Sequence, residues 1–350
     1  MAVGMFLGIS AGVSDPREYM TIAFFGLAYP FFLFANLLIL LYWLVRSKWV
    51  IALLTVAVIA YGGHTLMATF GFFGTKGELH KEEESLIRLM TYNVHNFKPY
   101  GEELSLSVKE KMLNLVAEQK PDVVCFQEFY TRKNGPYDTI DSLKQLLNVK
   151  YYYFVPSMKS ERESIGMAIF SRYPIKNQGR IEFRGAYGNE SIFVDVIVNN
   201  KTIRVYNVHL QSISFEKEDY VYLEKVTKEM DPKMGSSKRI MRMLKGAFKK
   251  RSKQVDVMKA HMHSCETPYV VAGDFNDTPA SYAVTKMTES LNNAFIKKGQ
   301  GLGKTYNGKF PNFQIDYVAT TKDIDVMNYQ IIEAKLSDHF PVRSDLKLKK

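Results

Sequence analysis

Two uncharged stretches near the N terminus constrain this chain more than anything else in it. Met20 to Val45, "MTIAFFGLAYPFFLFANLLILLYWLV", runs 26 residues without a charge, and Trp49 to Phe73 adds a second uncharged run of 25. A helix crossing a bilayer needs about 20 predominantly apolar residues, and a core helix rarely runs so long. The pattern predicts two membrane helices, over 20–45 and 49–73, joined by the tight turn Arg46-Ser47-Lys48. Cations beside spans favour the cytoplasmic side. The turn is therefore expected in the cytoplasm, and everything after Phe73 on the opposite face. Pro30 is expected to kink the first helix, and Gly62-Gly63, beside His64, points to close helix packing. The apolar segment 1–19 has three open readings: a signal remnant, a further span or an interfacial piece.

After a short polar linker over 74–85, "GTKGELHKEEES", the pattern changes. Strand-like runs recur: "LIRLMTYNV", "DVVCFQE", "KYYYFVP", "GMAIFSR", "SIFVDVIV", "TIRVYNVHL", "YVVAGDF" and "QIDYVAT". Helical patterns fall between several of them, notably Val108–Gln119 and Tyr282–Asn292. Strands mixed with helices and close hairpins predict an α/β domain with mixed sheets over 86–350. Hydrophobic residues make up 46% of the chain, enough for a sizeable core. The two cysteines, Cys125 and Cys265, form no ligand cluster, and Cys125 reads as a buried thiol.

The formal net charge is +10, and almost all of it lies beyond residue 74. An excess of cations favours anionic partners: nucleic acid, phospholipid headgroups or phosphorylated small molecules. Within a helical, basic segment over 213–264, Ile240, Leu244, Ala247 and Phe248 form one stripe with Met243 beside it. Lys238, Arg239, Arg242, Lys245, Lys249, Lys250, Arg251 and Lys253 fill much of the remaining surface. Such a helix over 238–253 suits anionic lipid or a phosphate-rich ligand, or else it packs on the domain as a solvated element.

Chemistry collects at the ends of the apolar runs. "TYNVHNF" supplies Asn93, "DVVCFQE" Gln127 and Glu128, "YNVHLQS" Asn207 and His209. "VVAGDFND" supplies Asp274 and Asn276, "QIDYV" Asp316, and "LSDHFPV" Asp338 and His339. Any one of these could cap a helix or make a turn. Six together are hard to credit to turns, because sheet topology brings strand ends to one edge. Oxygen donors of this kind select Mg²⁺, Mn²⁺ or Ca²⁺ over zinc, and a histidine beside a carboxylate supplies general acid–base function. No G-x-S-x-G elbow, Walker loop or H-E-x-x-H motif occurs.

Taken in order, Asn93, Gln127-Glu128, "YNVHL", "GDFND", "IDY" and "SDHFPV" resemble the endonuclease/exonuclease/phosphatase superfamily. The resemblance extends from about Leu86 to Leu348 and comes nearest to bacterial membrane-anchored members, including the region "GLGKTYNGKFPNFQIDYV". It implies a four-layer α/β/β/α sandwich of two mixed sheets, and hydrolysis of a phosphoester with Mg²⁺ or Mn²⁺. It further implies that Glu128 ligates the metal with Asn93 and Asp338 nearby, and that Asp274 orients or deprotonates water. Asn276 would hold a phosphate oxygen, while His339, positioned by Asp316, and His209 would face the phosphate. Gln127 would stand behind the ligands, Glu163 would pair with His209, and Tyr306 would line the pocket. Asp277, ahead of Thr278-Pro279, reads as part of a turn.

The resemblance leaves the substrate open. "GKFPNFQIDY" lacks the "PAWCDR"-like stretch of inositol 5-phosphatases, and "TYNVHNF" departs from the opening motif of exonuclease III-type enzymes. Three alternatives stand: a membrane-anchored phosphodiesterase for lipid headgroups or small phosphodiesters, an extracytoplasmic nuclease for DNA or RNA, and a non-catalytic membrane-tethered binding protein.

Overall fold

The computed structural model describes residues 1–72, 74, 77–98, 104–186, 188–213, 219, 222, 234–308 and 313–349. Five helices open the chain: α1 (Ala2–Ser10), α2 (Met20–Leu27), α3 (Tyr29–Val45), α4 (Trp49–Tyr61) and α5 (Gly63–Thr69). Each long uncharged run is thus a bent pair of helices: the first is kinked beside Pro30 as expected, and the second breaks where one helix over 49–73 was expected. The α2/α3 pair bends by 60° and the α4/α5 pair by 70°. The first break falls at Ala28, where Pro30 lacks the N–H that a continuing helix needs. The second falls at Gly62-Gly63, with Gly62 set against Ile9 and Tyr29. Among the described residues no single helix is long and apolar enough to cross a membrane, although each bent pair is by length and composition. Phe70–Gly71 (β1) leaves the helical run to pair with Gly301–Leu302 (β11), and Phe73 lies outside the described residues.

The remaining elements are β2 (Ile87–Asn93), α6 (Leu106–Glu118), β3 (Val123–Arg132), α7 (Thr139–Leu147), β4 (Tyr151–Lys159) and β5 (Glu163–Ser171). They continue with β6 (Ile175–Ile181), β7 (Ser191–Val198), β8 (Lys201–His209), α8 (Met234–His263), β9 (Tyr269–Asp274) and α9 (Tyr282–Thr288). The chain ends with β10 (Asn292–Asn293), α10 (Ala294–Lys298), β12 (Asp316–Thr320), β13 (Ile324–Ile331) and β14 (Val342–Leu348).

Among the described residues these strands form two six-stranded sheets, ordered β13-β14-β2-β3-β5-β4 and β10-β12-β9-β8-β7-β6. Both are mixed, and each has one parallel pair at its centre, β2/β3 and β8/β9. A parallel pair needs a crossover connection, which α6 supplies in the first sheet and α8 in the second. Strand alternation then sorts the side chains. Leu89, Val123, Cys125 and Ile169 meet Val194, Val205, Val270 and Ala272 between the sheets. Met90, Val124 and Phe126 face α6 and α7, whereas Tyr206, Val208 and Val271 face α8 and α9. This is the expected four-layer α/β/β/α sandwich. Burial pushes the Cys125 thiol well above its ordinary range, as expected of a plain buried cysteine.

One polar strut crosses the apolar middle layer. Gln127 Nε2 donates to Asn207 Oδ1 at 2.7 Å, and Asn207 Nδ2 donates to the carbonyls of Phe126 (2.9 Å) and Ala168 (3.0 Å). All these groups are buried, so an unmade bond costs about 1–3 kcal/mol. Asn207→Leu is expected to lower stability by about that amount, read as a lower urea midpoint of the detergent-solubilised protein. An unchanged midpoint would mean that the strut contributes nothing.

Several sequence expectations change in shape. The helix expected over Val108–Gln119 starts at Leu106 and ends at Glu118. The one expected over Tyr282–Asn292 stops at Thr288, because Ser290 turns at φ 67° and Asn292 pairs with Thr320. The linker over 74–85 is pinned to the domain by a Lys81–Asp122 ion pair (2.6 Å) and by Arg88 donating to the Leu79 carbonyl (2.5 Å). In the basic segment 213–264, residues 214–218, 220, 221 and 223–233 lie outside the described residues, and the helix runs over Met234–His263.

Candidate active site

The parallel pairs bring the strand ends together. In register, Asn93 lies opposite Gln127 at the end of β2/β3, and His209 lies opposite Asp274 at the end of β8/β9. Asp316, at the start of β12, faces Asp274 across an antiparallel pair. His209, Asp274 and Asp316 therefore stand in a row on three neighbouring strands. Gly273 makes this close approach possible: its φ is 140°, and a Cβ there would sit 2.0 Å from the Val208 carbonyl oxygen.

Two carboxylates directly opposite each other are unfavourable in a sheet, and both are buried. The loop before β14 answers this with His339. Its Nδ1 lies 2.9 Å from Asp316 Oδ2, and its Nε2 lies 3.7 Å from Asp274 Oδ2. Burial pulls the His339 pKa down, but the charges of Asp316 and Asp274 outweigh it and hold the imidazole well above its ordinary range. Burial pushes the Asp274 carboxyl up to about 6, against the pull of His339, with Asp316 adding to the rise. Both shifts favour the proton of this pair on His339 rather than on Asp274.

The first sheet contributes Glu128. A bulge between Phe126 and Phe129 interrupts the β3/β5 pairing, and Glu128 takes φ 51°. Simple alternation would send position 128 into the apolar layer that holds Val124 and Phe126. The bulge instead re-aims it toward the cleft, a recurrent use of bulges beside active sites. Asn93 Nδ2 then spans the sheets, 3.1 Å from Asp274 Oδ2 and 3.3 Å from Glu128 Oε1. Asn276 curls back at φ 54°, its backbone N–H 2.8 Å from Asp274 Oδ1 and its Nδ2 3.0 Å from Asp274 Oδ2.

His95 is the residue that sequence reasoning passed over. Its Nδ1 lies 3.5 Å from Asp338 Oδ2 and 3.6 Å from Glu128 Oε2. Three consecutive residues, His95, Asn96 and Phe97, have φ of 45°, 56° and 58°. Such strain persists only where the surroundings over-determine it. Here Asn93 Oδ1 accepts from the His95 N–H at 3.0 Å, and the Phe97 side chain is buried. The signal was present as the H of "TYNVHNF", hidden because it follows the strand end by two positions.

One expected pairing is corrected, and three other positions are placed. Glu163 does not pair with His209: it is exposed at the start of β5, 3.9 Å from Arg132, because the β3/β5 register sets it opposite that residue. His209 Nε2 instead lies 3.7 Å from Asp274 and 3.8 Å from Glu128. Gln127 is the inter-sheet strut described above. Tyr306 bridges to His339 and packs edge-on against it, with ring centroids 5.6 Å apart, at the cleft wall. Asp277 is structural, held by buried Arg251 at 2.8 Å.

A cleft of about 240 Å³ opens over these residues, lined by His95, Glu128, Asp274, Asn276, Tyr306, Asp338 and His339. Carboxylates of Glu128, Asp274, Asp316 and Asp338 crowd the site. Asp316 Oδ1 and both ring nitrogens of His209 are buried without a hydrogen-bond partner among the described residues. Hard oxygen donors with unspent acceptors fit a divalent cation. Asp274, Asp316 and His339 offer atoms within 4.8 Å of one another. His339 Nδ1 is already committed to Asp316, however, so Glu128 and Asp338 make the more open pair, with buried Asn93 bonded to Glu128 beside them.

Residues 90–339 match the Endonuclease/Exonuclease/phosphatase family, and residues 1–69 match a domain of unknown function (DUF8431). No curated protein matches the chain. Among solved structures, an endonuclease/exonuclease/phosphatase from Beutenbergia cavernae DSM 12333 is similar at 19% identity and a TM-score of 0.54, covering 75% of this chain and 72% of that one. A mannosyl-6-phosphatase from Bacteroides thetaiotaomicron VPI-5482 is similar at 15% identity and a TM-score of 0.53, covering 75% and 100%. Humanized D. rerio TDP2 carrying 14 mutations is similar at 15% identity and a TM-score of 0.52, again covering 75% and 100%.

Proposed function

Since the chain belongs to the endonuclease/exonuclease/phosphatase family of phosphoester-cleaving hydrolases, we propose that it is a membrane-anchored phosphodiesterase dependent on Mg²⁺ or Mn²⁺. The observation that carries this reading is the Asp316–His339–Asp274 row facing Glu128 and Asp338 across one cleft. Glu128, Asn93 and Asp338 would hold the cation, which when bound neutralises phosphoryl charge and makes water more acidic. Asp274, held by Asn93 and Asn276, orients water through its carboxylate and accepts the proton that water loses. His339, kept protonated and aimed by Asp316, donates a hydrogen bond to the phosphoryl group. His209 presents further polar atoms to its oxygens, whereas the Asn276 amide, expected there, is spent on Asp274 and the Leu210 carbonyl.

Anchoring rests on the outer face of the N-terminal helices. Val45, Val50 and Leu53 are 76%, 73% and 70% exposed, and Phe31, Phe34, Leu38 and Leu41 are exposed beside them. So many exposed large apolar side chains mark a lipid or protein contact. The 17 residues of α3 extend about 25 Å, near the length of a short span. With Arg46 and Lys48 in the turn, the catalytic domain belongs outside the cytoplasm, on the periplasmic face of a bacterial cytoplasmic membrane. Alkaline phosphatase fused after Lys350 is expected to be active. A reporter that works only in the cytoplasm, active at that point, would reverse the placement.

A second reading, a nuclease, draws on α8. Lys238, Arg239, Arg242, Lys245, Lys249, Lys250 and Lys253 are exposed along it, whereas Ile240, Ala247, Phe248 and also Arg251 are buried. Those exposed cations equally suit anionic lipid. Full-length protein in detergent, assayed on bis-p-nitrophenyl phosphate and plasmid DNA with Mg²⁺, Mn²⁺ or EDTA, separates the readings. Turnover that needs metal supports a phosphodiesterase. DNA cleavage that dominates and falls steeply with salt favours the nuclease. No turnover with any metal sinks both.

A further inference from the structure

The catalytic cleft has a second wall that the phosphoryl chemistry does not use. Leu27, Ile213, Leu244, Phe248, Phe313 and Ile315 line the same cleft as the acids and histidines. Leu27 ends α2 in the N-terminal apolar run, and Leu244 and Phe248 lie on the apolar stripe of α8. The hydrophobic N-terminal segment therefore supplies part of the active site.

That segment is docked on the domain by several independent contacts. Phe24 packs edge-on against Phe248 with ring centroids 5.5 Å apart. Arg17 pairs with Asp256 at 2.6 Å, and Ser252 Oγ donates to Asp15 Oδ1 at 2.8 Å. Burial works against the Asp15 carboxylate, yet hydrogen bonds from Arg17 and Ser252 hold its pKa down at about 2. Met5, Tyr29 and Leu33 cluster with Ala280, six positions after Asp274. Gly26 allows the closest approach: a Cβ there would meet the Cβ of Ala11 at 2.6 Å and the Ala280 carbonyl oxygen at 3.2 Å.

We propose that the substrate is an amphiphilic phosphodiester of the membrane, with its phosphate at the His339 end and its hydrocarbon chain along the Leu27–Leu244–Phe248 wall. This rests on the phosphodiesterase reading above and names its substrate class. The wall changes character within one helical turn. The Arg251 guanidinium, buried against Asp277 and also lining the cleft, lies 5.2 Å from the Phe248 ring centroid. A charged head and an apolar tail in one molecule match that change. A nucleotide or a sugar phosphate would leave the apolar side wet. Position agrees, because Leu27 ends α2, and exposed Phe31 on the surface assigned to lipid follows four residues later, across the bend into α3. The reaction is hydrolysis: water forms the new P–O bond, the P–O bond to the leaving group breaks, and the proton from water ends on the leaving oxygen or in solvent.

The test uses the full chain in one detergent and a series of alkyl p-nitrophenyl phosphodiesters from methyl to dodecyl. The kcat/KM is expected to rise by about three- to fourfold for each methylene held against the wall, then level off. Leu27→Gln with Leu244→Gln is expected to cut the octyl-to-methyl ratio at least about tenfold. Partition into micelles is common to both proteins and cancels in that comparison. The unaltered protein gives a reading that needs no variant: alkyl phosphates inhibit methyl ester hydrolysis with Ki falling as the chain lengthens. A flat chain-length profile, an unchanged ratio in the variant or equal Ki values would overturn the inference while leaving the phosphodiesterase reading intact. Turnover of no ester, methyl included, would overturn both.

Discussion

His339→Ala is expected to lower kcat by about 10²–10⁴-fold with little change in KM, the range that one positioned acid–base group contributes. The imidazole is buried, and its two nitrogens face opposite ways: Nδ1 to Asp316 at 2.9 Å and Nε2 toward Asp274 at 3.7 Å. Alanine removes the positive group between two carboxylates as well as the donor aimed at the phosphate. Asp316→Asn should cost less, since the imidazole stays but loses the charge that keeps it protonated and the acceptor that fixes its ring. Steady-state kinetics on bis-p-nitrophenyl phosphate would check both variants. A loss under tenfold for His339→Ala would reduce the residue to a structural plug.

Glu128→Gln is expected to weaken binding of a divalent cation by at least about 10–100-fold, the cost seen even for groups that only support a ligand, and to bring activity to the level left by EDTA. Glutamine keeps the size and the bulge but removes the charge. Glu128 is the most solvent-open carboxylate of the four, with 29% of its side chain exposed against 12% for Asp338 and 1% each for Asp274 and Asp316. An entering cation meets it first. Calorimetric titration with Mn²⁺ would measure the effect without relying on turnover. Equal affinity in the two proteins would move the cation to the Asp274–Asp316–His339 group.

Much of this site is legible in the sequence. Asn93, Glu128, His209 and Asp274 each end or follow an apolar run, Asp316 and His339 each precede one, and a sandwich of two sheets has few places to bring such ends together. The apolar stripe of α8 is equally plain, although what it packs against is not. What stayed hidden depends on register and on long-range contact. The β3 bulge cannot be read from "DVVCFQEFYTR", so alternation alone would bury Glu128. Glu163 looked like a partner for His209, yet pairing with β3 carries it to the rim beside Arg132. Arg251 counted among the surface cations of α8 but is buried on Asp277, because the helix turns that face toward the loop after β9. Strands β6, β13 and β14 escaped because polar residues interrupt them, "IKNQGRI", "IDVMNYQI" and "VRSDLKL". The docking of Leu27 at the cleft joins residues more than 200 positions apart, beyond any local pattern.

The most direct test of the account is to hydrolyse bis-p-nitrophenyl phosphate in ¹⁸O-water with the full-length protein, and to read the product by ³¹P NMR beside Asp274→Asn. The account predicts one ¹⁸O on phosphorus per turnover in the presence of Mg²⁺ or Mn²⁺, and no turnover from Asp274→Asn or with EDTA. Product free of ¹⁸O on phosphorus, or turnover that survives in Asp274→Asn, would contradict it.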